Sequence, residues 1–291
     1  MGSKPMDFKP RQYMYGDFLE NGLVYREYAP APGLADLVAC YWELFAPGTI
    51  PPTWHRVVPD GCVDLLVDLQ EERLIVTGPM VRSMGFYLHG GVRTLGIRIM
   101  PRAVRLVFPE PHVFQGTTGA VEDVLESSDV LRTALRDRGG SGGVIELFSG
   151  WSGVQERPGK EDRGSGITLK TELDALMTEI LLKGVPRVDD RAGRIIGHIL
   201  GNPTALRVSD VADYHGISEK QVGRYVRSAT GMGTKSFLQV VRFQGLLAEL
   251  DRQKRRGQSA PGVETALELG YYDQSHMVND LRRFLSPPYP G

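Results

Sequence analysis

Cysteine and long apolar runs are scarce in this chain of 291 residues. Its two cysteines, Cys40 and Cys62, have no paired spacing, which argues against a disulfide framework or a zinc site and for a reducing, cytoplasmic setting. No apolar run approaches the ~20 residues that a membrane span requires. We therefore expect no membrane partner.

The amino-terminal half also lacks the residue clusters of common enzymes. His55, His89 and His112 are widely scattered, without a His-x-His pair, whereas a metal-dependent oxygenase needs clustered histidine and carboxylate ligands. Neither cysteine has a His or Lys beside it in sequence to lower its thiol pKa, so an alkyl-accepting or redox role is less expected than a place in the core. We predict no enzyme, no metal and no cofactor.

Short strand patterns fill residues 1 to about 120, separated by Pro and Gly. These segments, rich in β-branched and aromatic residues, are Leu37–Phe45, Cys62–Leu69, Arg73–Thr77 and Thr94–Ile99. Many short strands between turns predict a sandwich or a small barrel. Val121–Arg138 follows with helical spacing, so residues 1–138 are predicted to form one β-rich domain of an α+β protein.

Two connecting segments follow. Residues 139–167 contain Gly-Gly-Ser-Gly-Gly and a polar run around an apolar island, Val144–Trp151, and we interpret them as a flexible linker whose island could dock on the first domain. Residues 168–186 hold an amphipathic helix, Thr168–Lys183. Its apolar stripe is typical of a helix face buried in the core. Its position between the domains also makes it a candidate for dimerisation or domain docking.

From residue 187 the chain is predicted to be helical, and this region contains the same short sequence motif twice. Each copy has an alanine, a glycine four positions later, and then a helix-capping residue. The copies are Ala212, Gly216 and the Ser218/Gln221 capping box, and then Ala266, Gly270 and Asp273. Crossing helices need a small residue at their contact, and the turn between them needs a positive φ. The pattern predicts two helix-turn-helix units.

Charge and spacing both point this helical region towards DNA. Nine basic and three acidic residues fall within Ile217–Gly257, although the net charge of the chain is −1. Such a stripe is typical of a nucleic-acid surface, the alternative being a solvated helix face. The predicted helix Thr234–Leu250 would span roughly 25 Å, which suits recognition helices about one DNA turn apart. The alternative is a bundle in which one copy supports the other.

The motifs of this region resemble those of the AraC/XylS class of bacterial transcription regulators. The resemblance rests on Gly216–Arg224, Gly231–Phe237, Arg242–Gln244 and above all Gly270–His276, within about Asp189 to Leu285. It implies a bipartite DNA-binding domain at residues 187–291, joined to an effector-sensing or dimerising domain that is often cupin-like. The runs His55–Leu65 and Gly96–Pro101 resemble the sensor halves of one AraC-type branch.

The resemblance implies partners and a set of DNA-contacting residues. Double-stranded DNA is the expected partner, with RNA polymerase and a second copy of the chain as further candidates. The residues implied for base reading are Lys220, Gly223, Arg224, Gln274, Ser275, His276, Val278 and Asn279; those for phosphate contact are Arg227, Lys235, Arg282 and Arg283. Arg224 could instead form a helix-packing ion pair, and His276 could be structural.

Two positions depart from the family pattern. Asn279 stands where an arginine is usual and Met277 where an aromatic is usual. Ser286-Pro287-Pro288 replaces a closing Gly-x-x-Pro. We therefore expect the second recognition helix to discriminate between sequences less well than the first.

The effector is the least specified part of the prediction. Arg98 and Arg102 have an Arg-x-x-x-Arg spacing that resembles half of the cyclic-dinucleotide signature of PilZ domains, but the other half is missing. Guanidinium pairs suit an anion, on which Trp42, Trp54 or Tyr87 could stack. The alternatives are an apolar ligand inside the β domain and arginines that pair with surface glutamates. The competing function is a cupin-like metabolic enzyme or binding module with a vestigial DNA-binding domain.

Overall fold

The structure, a computed structural model, describes residues 8–12, 22–125, 128–149, 163–184, 191–202, 207–257 and 262–285. It has the predicted α+β class, with a β-rich amino-terminal part and a helical carboxy-terminal part. The strands are β1 Val24–Tyr28, β2 Val38–Phe45, β3 Thr53–Val57, β4 Val63–Asp68, β5 Arg73–Thr77, β6 Met84–Leu88, β7 Arg93–Ile99 and β8 Thr118–Ala120. The helices are α1 Val104–Val107, α2 Glu122–Leu125, α3 Asp129–Arg136, α4 Gly140–Ser149, α5 Arg163–Gly184, α6 Arg191–Gly201, α7 Val208–His215, α8 Glu219–Thr230, α9 Thr234–Arg255, α10 Val263–Glu268 and α11 Gln274–Leu285.

An antiparallel sheet with the strand order β1-β2-β7-β4-β5-β8 forms the body of the first part, and β3 pairs with β6 in a second, two-stranded sheet. Side chains alternate between the two faces of a strand. In β4, Leu65 and Val67 enter the main core, whereas Asp64, Leu66 and Asp68 face a cavity. The alternation therefore separates a packed face from a cavity face.

Helices cover the packed face of the large sheet. Buried Val144 and Phe148 of α4, with Leu173, Leu176 and Met177 of α5, belong to the same core as the sheet. The predicted flexible linker thus contains helix α4 and the start of α5, because burial of the apolar island stabilises helix there. In the interdomain helix, the core contains Leu173, Leu176, Met177 and Ile180 of the apolar stripe, and Trp151 lies outside the described residues.

Two helix boundaries also differ from the prediction. The single helix expected over Val121–Arg138 is replaced by α2 and α3, and the Ser128 side chain caps α3 by accepting a hydrogen bond from the backbone N–H of Leu131. Helix α9 continues to Arg255 instead of ending at Leu250, and Glu249 pairs with Arg252 in its last turns. The helix therefore includes Arg252, Lys254 and Arg255 of the basic segment that follows Leu250.

The two parts pack against each other through a shared core. Val58 and Met100 of the first part lie in one buried cluster with Ile195 and Phe237 of the helical part. The side chain of buried Gln244, on α9, donates a 2.8 Å hydrogen bond to the carbonyl of Pro59. Gly231 approaches the turn at Pro111 so closely that a Cβ would lie 2.5 Å from its carbonyl oxygen. The docking leaves no room for a larger residue there.

Candidate nucleic-acid interface and ligand cavity

Both predicted helix-turn-helix units form, and their turns have the same hydrogen bonds. Gly216 and Gly270 are left-handed, with φ of 62° and 76°. In the first turn, the N–H of Ile217 donates to Ala212 O at 3.0 Å and that of Gly216 to Asp213 O. In the second, Tyr271 donates to Ala266 O at 2.9 Å and Gly270 to Leu267 O. This is a Schellman motif, which satisfies carbonyls at the helix end and needs a glycine.

Both recognition helices begin at the predicted caps. The N–H of Gln221 donates to Ser218 Oγ at 3.3 Å, and the N–H of Ser218 donates to Gln221 Oε1 at 2.9 Å, which completes a capping box. In the second unit, the N–H of His276 donates to Asp273 Oδ1 at 2.7 Å. The caps fix where α8 and α11 start, and so which residues face outward.

Helix α8 presents a row of cations to solvent. Lys220, Arg224 and Arg227 are exposed at spacings of four and three, which places them on one side of the helix. Val222 and Val226 on the other side are fully buried. Within the part of the chain that the structure describes, none of these three cations forms an ion pair. Arg224 therefore does not form the helix-packing ion pair that was the alternative to a DNA contact.

Helix α11 presents a less basic face. Gln274, Ser275, Asn279 and Arg282 are exposed, and Val278 is half-buried. The other two predicted residues form hydrogen bonds within the chain: exposed Arg283 donates to Gln239 Oε1 on α9 at 3.3 Å, and Nδ1 of half-buried His276 accepts from the N–H of Tyr272 at 3.4 Å. Lys235, at the start of α9, is exposed, whereas Ser286-Pro287-Pro288 lies outside the described residues.

A cavity of about 280 Å³ lies between the large sheet and the two-stranded sheet. Its walls include Trp42 and Leu66 from the large sheet and Phe86 and Leu88 from the small one. The Trp42 indole lies against Gly96, where an added Cβ would be 2.2 Å from the ring. Glycine on β7 therefore makes room for the indole that forms one wall.

A buried ion cluster forms the polar end of the cavity. Arg98 Nε lies 3.1 Å from Asp64 Oδ1 and 3.3 Å from Asp60 Oδ2, and its NH1 lies 3.5 Å from Glu27 Oε1. Burial raises the pKa of Asp64, and the charge of Arg98 counters that rise. Burial, together with Arg98, lowers the pKa of the neighbouring His55 to about 4, so its imidazole is neutral at physiological pH.

The predicted effector residues are only partly brought together. Trp42, Tyr87 and Arg98 line the cavity. Trp54 packs edge-on against Tyr87, with ring centroids 4.7 Å apart, and is not among the lining residues. Arg102 pairs with exposed Asp36 at 3.3 Å and is also not among them. The Arg-x-x-x-Arg spacing therefore does not place two guanidinium groups in one site.

Gln12 and Asp64 are cavity residues that the sequence analysis missed. Gln12 Nε2 donates to Asp60 Oδ2 at 3.0 Å and to Val58 O, while its Oε1 accepts from the N–H of Val58. Asp64 was visible in the run from His55 to Leu65, but nothing in a single sequence shows that it faces Arg98. The carbonyl of Pro59, the residue before Asp60, accepts a hydrogen bond from Gln244. The residues that hold Gln12 at the cavity are therefore adjacent in sequence to a contact with α9.

Neither cysteine has the environment of a nucleophile. Cys40 and Cys62 are free and buried. Burial raises the pKa of the Cys40 thiol to about 12 and that of the Cys62 thiol well above its usual value. Over the described ranges there is no group of three His, Cys, Asp or Glu side chains that could hold a metal ion. No described helix is long and apolar enough to cross a membrane.

In comparisons with known proteins, one segment of the chain matches a family model, and the whole fold has a distant likeness to solved structures. Residues 26–114 match a family model described as a domain of unknown function, DUF6597. No curated protein matches the chain.

Among solved structures, ToxT from Vibrio cholerae is similar at 10% identity, over 90% of this chain and 93% of that one, with a TM-score of 0.38. ToxT from Vibrio cholerae O395, bound to (E)-4-(8-methylnaphthalen-1-yl)but-3-enoic acid, is 11% identical over 90% and 94% of the chains, with a TM-score of 0.38. An unsaturated-fatty-acid-bound ToxT from strain SCE256 has a TM-score of 0.36 at 10% identity, over 90% of each chain.

Proposed function

We propose that this chain is a sequence-specific, DNA-binding transcription regulator of the AraC type, controlled by a small molecule in the cavity of its β domain. One observation carries the proposal: the same capped helix-turn-helix geometry occurs twice, each time with polar side chains exposed along the second helix. A helix-turn-helix unit binds DNA by placing that second helix in the major groove.

The spacing of the units supports binding to two successive grooves. Helix α9 joins them and has 22 residues, which gives a length of roughly 33 Å at ~1.5 Å per residue. Successive major grooves on one face of a duplex are ~34 Å apart. In this arrangement Arg224 would read guanine, Gln274 and Asn279 would suit adenine, and Arg227 and Arg282 would contact phosphates.

A chain of hydrogen bonds supports control by a ligand. Gln12 lines the cavity and bonds to both Asp60 and Val58. The carbonyl of Pro59, which lies between those two residues, accepts a hydrogen bond from Gln244 of α9. The Gln244 side chain also accepts a hydrogen bond from the backbone N–H of Arg11 and donates one to its carbonyl. A ligand that shifts Gln12 or Asp60 would thereby disturb the contact that holds α9 against the β domain.

The test is DNA binding by the full chain across a range of salt concentrations. Fluorescence anisotropy with fragments of the source genome should show tight binding to a subset of them. Each neutralised phosphate contributes about −0.9 to the slope of log K against log salt. A variant with Lys220, Arg224 and Arg227 all changed to alanine should weaken binding, and the loss of the Arg227 phosphate contact should flatten the slope by about 0.9.

The matched control removes exposed arginines from the β domain. Changing Arg132 and Arg136 of α3 to alanine removes two exposed cations and should leave binding unchanged. Absence of binding to every fragment, or binding that does not depend on salt, would contradict the proposal and favour a ligand-binding module with a vestigial DNA-binding domain.

A further inference from the structure

The polar end of the cavity has an excess of negative charge. One guanidinium, that of Arg98, faces the three carboxylates of Asp60, Asp64 and Glu27. Asp60 is fully hydrogen-bonded, since Cys62 N–H donates to its Oδ1 at 2.9 Å and Gln12 to its Oδ2. Charge that Arg98 does not neutralise therefore remains next to the cavity.

Asp64 has one oxygen that no protein donor uses. Trp42 Nε1 donates to its Oδ1 at 3.1 Å, and Arg98 Nε donates to the same atom. Within the described ranges, Oδ2 accepts no hydrogen bond, although the side chain is only 9% exposed and lines the cavity. A carboxylate oxygen that borders the cavity and has no donor from the protein can accept a hydrogen bond from a ligand.

Aromatic rings line the same cavity. Trp42 and Tyr25 lie with their ring centroids 6.0 Å apart, and Phe86 comes from the two-stranded sheet on the other side. The faces of such rings attract a cation within about 6 Å of the ring centre. Aromatic walls and a carboxylate with a free oxygen both favour positive charge, whereas an anion would meet Asp64 and, further along the wall, Asp68.

We propose that the cavity binds a small organic cation, an ammonium group on an apolar body, with the ammonium at Asp64 and the body between Trp42 and Phe86. The cavity of about 280 Å³ is near the lower end of the ~300–1,000 Å³ that small-molecule pockets occupy, so it suits one or two rings. This inference rests on the proposed ligand control and names the chemical class of the ligand.

Three probes that share a phenyl ring on a two-carbon chain and differ in the charge of the end group test the inference. Isothermal titration calorimetry of the full chain would compare 2-phenylethylamine, 2-phenylethanol and 3-phenylpropionate. The amine should bind most tightly and the carboxylate most weakly. Asp64→Asn keeps the side-chain size but removes the charge, so it should weaken the amine roughly ten- to hundredfold and the alcohol by far less.

Two further variants keep the test decisive if Asp64→Asn destabilises the fold. Phe86→Leu removes an aromatic ring without touching the ion cluster, and it should weaken the amine more than the alcohol. Asp36→Asn removes an exposed carboxylate that pairs with Arg102 outside the cavity, and it should change nothing. Tighter binding of 3-phenylpropionate than of the amine, or equal binding by Asp64→Asn and the unaltered chain, would overturn the inference.

The pH dependence gives a second readout. Burial raises the pKa of Asp64, and a bound cation favours the ionised carboxylate. Amine affinity should therefore fall as pH decreases through that raised pKa, while the affinity of 2-phenylethanol should not. The groups around Asp64 that carry charge or titrate are Arg98, Asp60, Glu27, Asp68, His55, Tyr25, Cys40 and Cys62. An amine affinity that stays constant over the pH range in which Asp64 titrates would contradict the role of Asp64.

DNA binding by the same preparation separates the two proposals. If the chain binds DNA but no amine, the inference fails and the DNA-binding function stands. If it binds the amine through Asp64 but no DNA, the ligand class stands and the regulator function fails.

Discussion

The two helix-turn-helix units share a turn but differ in the surface they present. The caps of their recognition helices, Ser218 and Asp273, are 55 positions apart (273 − 218), whereas the two left-handed glycines are 54 apart (270 − 216). The second turn is thus one residue longer. With the caps aligned, Lys220, Arg224 and Arg227 correspond to Ser275, Asn279 and Arg282, and all six are exposed.

Buried positions are similar in the two helices. Val222 and Met277 correspond and are 0% and 1% exposed, and Ala229 and Phe284 are 2% and 1% exposed. At the aligned exposed positions, by contrast, three cations in α8 correspond to one in α11, where Arg283 is a second exposed cation. The turn and the buried side therefore determine the fold of both units, while the exposed side gives them different electrostatics. We expect α8 to supply most of the affinity and α11 to add a weaker contact.

The largest effect should come from Arg224. Changing it to alanine should cost about 1–3 kcal/mol at the preferred site and little on random DNA, because a base contact is lost. Asn279→Ala, at the aligned position, should cost less. Competition anisotropy with preferred and scrambled duplexes measures both, and Arg227→Ala is the control that should weaken the two duplexes alike. Identical behaviour of Arg224→Ala and Arg227→Ala would mean that α8 is oriented differently.

The helical half was predictable because its signals are local. The Ala-x-x-x-Gly spacing, the Ser218/Gln221 box and Asp273 each act within a few residues, and all three form as expected. The predicted end of α9, at Leu250, is too early because the basic residues that follow it form helix readily. Local chemistry predicts turns and caps better than it predicts where a charged helix stops.

The β half was less predictable because its site is built from distant residues. Strands β2, β4, β5 and β7 follow the predicted segments within a residue or two, but β1, β3, β6 and β8 were missed because polar residues or glycine interrupt their patterns. The cavity depends on how β7 pairs with its two neighbours. Gly96 of β7 lies opposite Trp42 of β2, and Arg98 of β7 lies opposite Asp64 of β4. No spacing within one strand reveals such a register, so Asp64 and Gln12 could not be assigned.

Asn279→Arg should make the second helix more like the first. The side chain is exposed, so an arginine there can reach a phosphate, and the salt slope should steepen by about 0.9 while binding tightens. Anisotropy at several salt concentrations measures the slope. Asn279→Gln lengthens the side chain without adding charge and should leave the slope unchanged. A slope that is the same for the arginine variant would show that position 279 does not face the DNA backbone.

Gly223 gives the smallest and most selective prediction. It lies within α8, where glycine costs about 0.5–1 kcal/mol relative to alanine. A Cβ at this position would meet only Thr234 Oγ1, at 3.8 Å, so packing within the chain does not require glycine there. The aligned position on α11 carries Val278. The cost is understandable if the backbone of α8 must approach the DNA closely.

Gly223→Ala should therefore change stability and DNA binding in opposite directions. Urea denaturation should show a free energy of unfolding higher by about 0.5–1 kcal/mol, while anisotropy should show weaker DNA binding. Gly197→Ala is the matched control, because Gly197 is also helical and a Cβ there meets nothing within 4 Å. It should stabilise the chain similarly and leave DNA binding unchanged. If both variants bind DNA equally well, close approach at Gly223 is wrong, because stabilisation of a helix alone gives no reason for weaker binding.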